Sequence, residues 1–175
     1  MGEEHEDSCV IGTIRKRIGW MFRVCFAGFE KGSSLLWEKD WRGVTSSSYS
    51  EKIVPLLHGM VRLRPGLSVM QDNAPPHVAA RTMRAFEERT ITPIDWSPYS
   101  PDLNLIENAL KIMKDMIEFN YPNLAGGRRR SSDQIRAVVK EAWDSVSYQE
   151  LTVVIGSMHD RGQAVLDADG GPTKY

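Results

Sequence analysis

The chain has 175 residues, 41% hydrophobic and 26% charged, which is ordinary globular composition for one domain able to bury a core. Its 22 Lys and Arg against 23 Asp and Glu leave a formal charge of −1, so there is no bulk basic signal for nucleic acid and any phosphate-binding charge must be local. No run of about eighteen apolar residues predicts a membrane span, and the acidic start, Met1 to Asp7, does not suit a signal or transit peptide. Cys9 and Cys25 lack Cys-x-x-Cys spacing, which argues against a zinc site or a disulfide and for a reduced intracellular setting.

Taken in order, the elements alternate as in an α/β layer. Val10 to Ile14 is short, apolar and ambiguous. Trp20 to Phe29 reads as a strand, and Ser34 to Glu38 as a second one after a turn at Lys31-Gly32. Ser48-Tyr49-Ser50-Glu51 has capping-box spacing, and Ile53, Leu57, Met60 and Val61 form one face of the helix it opens. Pro55 should bend that helix or delay its regular start. Leu67 to Met70 is a buried strand stopped by a Pro-rich turn, followed by a helix over Val78–Arg89 with Met83 and Phe86 inward. Thr92 to Trp96 is a short strand. The next helix begins after a loop rich in Pro, Ser, Asp and Asn and runs to about Tyr121, burying Ile106, Leu110, Met113 and Ile117. Asn123 to Ser132 reads as a flexible insertion, and a second capping box, Ser147-Tyr148-Gln149-Glu150, separates two last helices. The Gly170-Gly171-Pro172 tail should be loose.

Two clusters dominate the chemistry: Gln71-Asp72-Asn73-Ala74-Pro75-Pro76-His77, and Ser97-Pro98-Tyr99-Ser100-Pro101-Asp102-Leu103-Asn104-Leu105-Ile106-Glu107-Asn108. Asp72 sits at a strand end and Glu107 in the first turns of a helix, with 34 residues (73–106) between them. Both positions hold a carboxylate rigidly, as Mg²⁺ requires, since it takes hard oxygen ligands and usually one or two protein carboxylates. Two such ions about 3.5–4 Å apart clamp the attacking and leaving oxygens of a phosphoryl transfer. Each acid taken alone also has a plainer reading. Asp72 before Asn-Ala-Pro-Pro commonly caps a turn, and Glu107 is spaced to pair with Lys111 on an ordinary helix surface. The short basic runs, Arg15-Lys16-Arg17, Arg81 with Arg84, and Arg128-Arg129-Arg130, are either phosphate contacts or solvated faces. His5, His58 and His159 are isolated and read as surface or structural. Trp20, Trp37, Trp41, Trp96 and Trp143 fall at apolar positions, where core packing outweighs base stacking.

Together, the two clusters at this spacing resemble the catalytic domain of mariner-superfamily transposases. Gly19-Trp20-Met21-Phe22 with Cys25-Phe26, Trp37-Glu38-Lys39-Asp40-Trp41, and Gln163-Ala164-Val165 to Thr173-Lys174-Tyr175 resemble fungal members, so the likeness runs through nearly the whole chain. It implies an α/β ribonuclease-H-like fold, a mixed sheet flanked by helices. It implies catalytic, metal-holding roles for Asp72 and Glu107 with Mg²⁺ or Mn²⁺, and supporting roles for His77 and Asn108, although His77 reads equally well as a helix-start histidine packing on the turn. Asp102 is more readily a helix cap. Arg15, Lys16, Arg17, Arg81 and Arg84 become contacts to the phosphates of transposon-end DNA. A homodimer and a nuclear location follow from the same likeness. The reaction implied is strand cleavage and joining, with water and then a 3′-hydroxyl attacking phosphorus in line.

Departures from the family pattern matter as much. Leu105 stands where Pro is usual, and Leu110 where Trp is usual. The family's first aspartate comes from the strand that opens the fold, and counting back from Asp72 runs off the start of this chain. Asp7 lies in an acidic stretch without strand pattern and Asp40 is too close, so neither takes that role. The first strand is therefore expected to be missing, leaving the middle of the sheet open unless Val10–Ile14 fills it. No helix-turn-helix DNA-binding region is expected within 1–175. The resulting expectation is a transposase domain truncated at its amino end, a degenerate or partial copy; the alternative is an inert relic or a nucleic-acid-binding module.

Overall fold

The structure, a computed structural model, describes residues 8–15, 21–28, 30–97, 100–124, 131–171 and 173–175. Five strands make one sheet: Ser8–Arg15 (β1), Met21–Ala27 (β2), Glu30–Trp37 (β3), Ser68–Met70 (β4) and Thr92–Pro93 (β5). Their order is β3-β2-β1-β4-β5. β1 runs antiparallel to β2 and parallel to β4, and β4 runs parallel to β5. The centre of the sheet is thus filled. The stretch around Val10–Ile14 lengthens into β1 and pairs along both edges, with Ile11 opposite Cys25 and Val10 opposite Met70.

The hairpin differs from the expected one in its turn. Gly28, at φ 54, makes the reversal, and Lys31-Gly32 lie inside β3. Gly32 is there for packing: a Cβ would come within 2.1 Å of Met60 Sδ and 2.5 Å of Cys25 Sγ. Lys31 donates to the carbonyls of Trp143 at 2.8 Å and Asp144 at 2.7 Å, a cation at the end of the helix they close.

Eight helices flank the sheet among the described residues: Ser46–Lys52 (α1), Val54–Leu63 (α2), Pro75–Val78 (α3), Ala80–Glu87 (α4), Leu105–Asn120 (α5), Ser132–Ser145 (α6), Tyr148–Gly156 (α7) and Met158–Asp167 (α8). The capping box of α1 is Thr45–Ser48, three residues earlier than Ser48–Glu51. Thr45 has extended backbone and exchanges bonds with Ser48 in both directions, 2.9 and 3.2 Å, which leaves Glu51 free to reach Arg81. Pro55 delays α2, as its missing N–H requires, so Ile53 divides one expected helix into two. The helix expected over Val78–Arg89 starts earlier and is interrupted at Ala79, whose ψ of 142 is extended. β5 is shorter than expected: Pro93 brings no N–H, and the last ladder bond runs from Ile94 N to Val69 O. The Ser147–Glu150 box opens α7 as expected, yet three helices rather than two follow the insertion, because Ser157 breaks α7 from α8.

Strand alternation assigns each face its helices. Phe22, Val24, Phe26 and Met70 join the core under α5, α6 and α7. Cys25, Ala27, Trp37 and Val69 join the core under α1, α2 and α4. Each of the larger apolar side chains buried here stabilises the fold by roughly 1.5–3 kcal/mol. Leu105 and Leu110, 2% and 0% exposed, belong to the buried stripe of α5 with Ile106, Met113 and Ile117. Trp37 and Trp143 are buried and Trp41 and Trp96 half-buried, so these four rings pack and do not form an exposed stacking platform. No helix among the described residues is long and apolar enough to cross a membrane.

Candidate metal centre

Asp72 stands two residues past the end of β4. The alternation that turns Val69 toward α1 and Met70 toward α5 gives Gln71 and Asp72 the same two faces. Asp72 Oδ1 accepts from the Ala74 N–H at 3.1 Å, the turn-capping bond expected of Asp in this context. The same oxygen lies 2.6 Å from His77 Nδ1. Oδ2 has no hydrogen bond or ion pair among the described residues, and the carboxylate is 55% exposed. The turn thus engages one oxygen of the carboxylate and leaves the other open.

His77 is buried behind this acid. Arg23 Nη1 approaches His77 Nε2 at 3.4 Å. His77 Nδ1 also lies 3.2 Å from the Asp72 carbonyl, so two oxygens face that nitrogen and the ring proton is assigned to it, with Nε2 turned toward Arg23. The Tyr49 ring packs on the imidazole at 4.6 Å between centroids, and the Arg23 guanidinium lies 5.5 Å from the Tyr49 centroid. Tyr49 donates its hydroxyl to Gln71 Oε1 at 2.7 Å, and Gln71 Nε2 donates to the His77 carbonyl at 3.4 Å. The His77 bond holds the Asp72 carboxyl below the usual carboxylate range against the opposing effect of burial, with Ala74 N–H and the Arg23 charge adding to it.

Glu107 lies in the first turn of α5, exposed, while Leu105 and Ile106 beside it anchor the helix in the core. Neither Glu107 nor Lys111 enters an ion pair among the described residues, so the surface pair spaced for them does not form. Asn108 is half-buried next to it. Two residues, Asn73 and Asp102, tie this segment to the rest. Asn73 Nδ2 donates to the Trp96 carbonyl at 2.8 Å, fastening the Asp72 turn to the chain that leads toward Glu107. Asp102, expected to cap a helix, accepts instead from Thr173 N and Oγ1 at 3.1 and 2.8 Å through Oδ2. Its carbonyl accepts from buried Arg161 at 2.5 Å, and the Arg161 guanidinium lies 4.5 Å from the Tyr175 ring. Thr173 and Tyr175 are thus docked, where a loose tail was expected, and Pro172 lies outside the described residues.

Asp72 and Glu107 are both exposed carboxylates, the donor type that a hard divalent cation takes. Among the described residues no group of three or more His, Cys, Asp or Glu side chains is gathered to hold a metal. β1, beside β4, contributes no acid, since Ser8–Arg15 contains neither Asp nor Glu.

Arg81 and Arg84 are exposed on α4. They line a cavity of about 310 Å³ together with Glu51, Glu88 and Arg89. Arg81 is paired with Glu51 at 3.1 Å, so the groove is of mixed sign. Lys16, Arg17 and the triplet Arg128-Arg129-Arg130 lie outside the described residues, as do His5, Asp7 and Trp20; for Arg15 only the backbone, within β1, is described. Arg23, Tyr49 and Gln71 were not legible as site residues. The available signal was an arginine inside the apolar strand run Met21–Ala27.

No family model matches the chain. By sequence it is similar to the transposable element Tcb1 transposase of Caenorhabditis briggsae, 35% identical over 105 residues, 60% of this chain. The chain spans 36% of that relative's length over the match. Its sequence relatives are Tc1/mariner transposases. By structure it is similar to the Mos1 transposase catalytic domain solved with Raltegravir and Mn, with a TM-score of 0.76, 19% identity, and coverage of 95% of this chain and 84% of that one. It is similar also to Mos1 transposase in a paired-end complex with the left transposon end, with a TM-score of 0.75, 19% identity, and coverage of 92% and 47%. The fold is ribonuclease-H-like, as in the Mos1 catalytic domain, and both comparisons find transposases among the proteins this chain is similar to.

Proposed function

We propose that this chain binds transposon-end DNA and holds one Mg²⁺ or Mn²⁺ ion between Asp72 and Glu107. A single observation carries the reading. The Asp72 carboxylate is fixed at a strand end through one oxygen while the other stays open, and Glu107 is exposed without a partner among the described residues on the first turn of α5. Structures of Mos1 transposase with Mn, with Mg and with a transposon end support the choice of ion and of DNA. When bound, the ion would supply charge stabilisation to an in-line displacement at phosphorus. Asp72 and Glu107 would hold it, and the His77 bond would keep Asp72 ionised and oriented. Exposed Arg84, with Arg81 beside it, is the described charge placed to meet a DNA phosphate.

The same accounting gives a degenerate or partial copy. A two-metal centre needs a shared ligand, and β1 offers none. The chain alone is therefore expected to bind end-bearing DNA in a divalent-ion-dependent way without cutting or joining it. Incubating the purified protein with transposon-end DNA and Mn²⁺ tests both halves. Cleavage that disappears in Asp72→Ala would show that the missing ligand is supplied after all. Binding that ignores both the metal and the end sequence would favour the second reading, a nucleic-acid-binding module without a metal centre, which the mixed-sign groove beside Arg81 and Arg84 would then have to support.

A further inference from the structure

We infer that the groove between α1 and α4 is a phosphate-binding site, and that Glu51 restrains it by holding Arg81. Small side chains open the groove. Ser50 and Thr82 are buried where the two helices meet, their hydroxyl oxygens 3.5 Å apart, and buried Ala85 lies one turn further along α4. The cavity of about 310 Å³ there is lined by Arg81, Arg84, Arg89, Glu51 and Glu88. Three arginines against two glutamates leave a local excess of one positive charge, on a chain whose formal charge is −1. The pairing within the groove is uneven. Glu51 Oε1 accepts from Ser47 Oγ of its own helix at 2.8 Å and from Arg81 Nη2 of α4 at 3.1 Å. Arg89 is turned back on α4, donating to the Ala85 carbonyl at 3.0 Å and lying 3.5 Å from Glu88. Arg84 is exposed and has no hydrogen bond or ion pair among the described residues. It stands three residues from Arg81 on α4, a spacing that makes the two side chains neighbours. Each guanidinium offers the planar fork of donors that fits phosphate oxygens. The Glu51–Arg81 pair, with both side chains more than half exposed, is weak and screened by salt, so a phosphate can take Arg81 from it. The site thus has an anchor, Arg84, and a second arginine that joins only when Glu51 lets go.

The chemistry recognised is a phosphate group, and only its DNA source rests on the function proposed above. The test uses the full chain in EDTA, so no metal site enters it. Its probes are a DNA duplex without a transposon end, at several salt concentrations, and inorganic phosphate, followed by the Arg84 Nε–H signal. For DNA, Arg84→Gln should weaken binding and reduce the log–log salt slope by about 0.9, the share of one phosphate contact. Glu51→Gln should tighten binding. Arg81→Gln should cost little alone, and about as much as Arg84→Gln once Glu51→Gln is present. All three side chains are exposed, so the fold should survive each replacement. Equal losses for Arg81→Gln in both backgrounds would show that Glu51 acts only as a general charge, and would overturn the restraint. DNA binding that ignores Arg84→Gln would overturn the site while leaving the DNA reading intact. Phosphate bound at Arg84 without DNA binding would keep the site and sink the DNA reading. A wild type that binds neither probe overturns the site as well.

Discussion

Asp72 caps its turn and meets His77 through the same carboxylate oxygen, and its titration reports on that contact. Its folded pKa is depressed, chiefly by the His77 bond. A depressed carboxyl contributes stability that is fully present above its unfolded value, about 3.9, and is lost as pH falls through the lower folded value. Acid unfolding of the wild type should therefore show a loss in that window that Asp72→Asn lacks. In His77→Ala the Asp72 carboxyl ¹³C titration should move back up toward the ordinary range. If that titration stays where it was, the His77 bond is not what depresses it. At this scale the sequence was informative where partners are near in the chain. Asp72 and His77 sit five apart in one motif, and their pairing is a local turn. The Arg23 contact spans 54 positions, and nothing in the strand run Met21–Ala27 indicates which distant imidazole its odd arginine serves.

Elements are placed here by contacts that periodicity does not encode. The buried stripe of α5 was legible from apolar spacing, and so were the delayed start of α2 at Pro55 and the Ser147 box. The hairpin turn was not, because Lys31-Gly32 looks like a turn while Gly32 is glycine to admit Met60 and Cys25. The docked tail was not legible either, since Gly170-Gly171-Pro172 reads as an unstructured end and its anchor, Asp102, lies 71 positions from Thr173. That anchor makes a prediction. Asp102→Ala removes two hydrogen bonds from Thr173, each worth about 0.5–1.5 kcal/mol. Hydrogen exchange should quicken at Thr173 and in the first turn of α5, where Glu107 stands, and the thermal midpoint should fall. Unchanged exchange at both places would show that the tail does not hold the start of α5.

Across the molecule, β1 decides what the fold can do. It supplies the central ladder between β2 and β4, so the sheet has no interior edge to attract another chain. The sequence left this open because Val10–Ile14 is too short to read as a strand alone; only pairing on both sides makes it one. The alternating α/β layer was legible from the residues, and the ribonuclease-H-like architecture only as what the family resemblance of the two acid motifs implies. Val10↔Met70 is the last pair of that ladder, and the register continued two residues further would bring Gly12 level with Asp72. Gly12→Asp should then add a carboxylate beside the site and raise Mn²⁺ affinity about tenfold, 1.4 kcal/mol. No change in affinity would mean that position 12 does not face the ion. The most direct test of the metal centre is a Mn²⁺-binding cycle on Asp72→Ala, Glu107→Ala and the double variant. Both acids are exposed, so neither replacement threatens the core. If they share one ion, each single variant should lose about tenfold or more in affinity, and the double should lose little beyond either, since residues acting on one ligand do not add. Affinity untouched by both replacements, or losses that simply sum, would contradict a shared ion between Asp72 and Glu107.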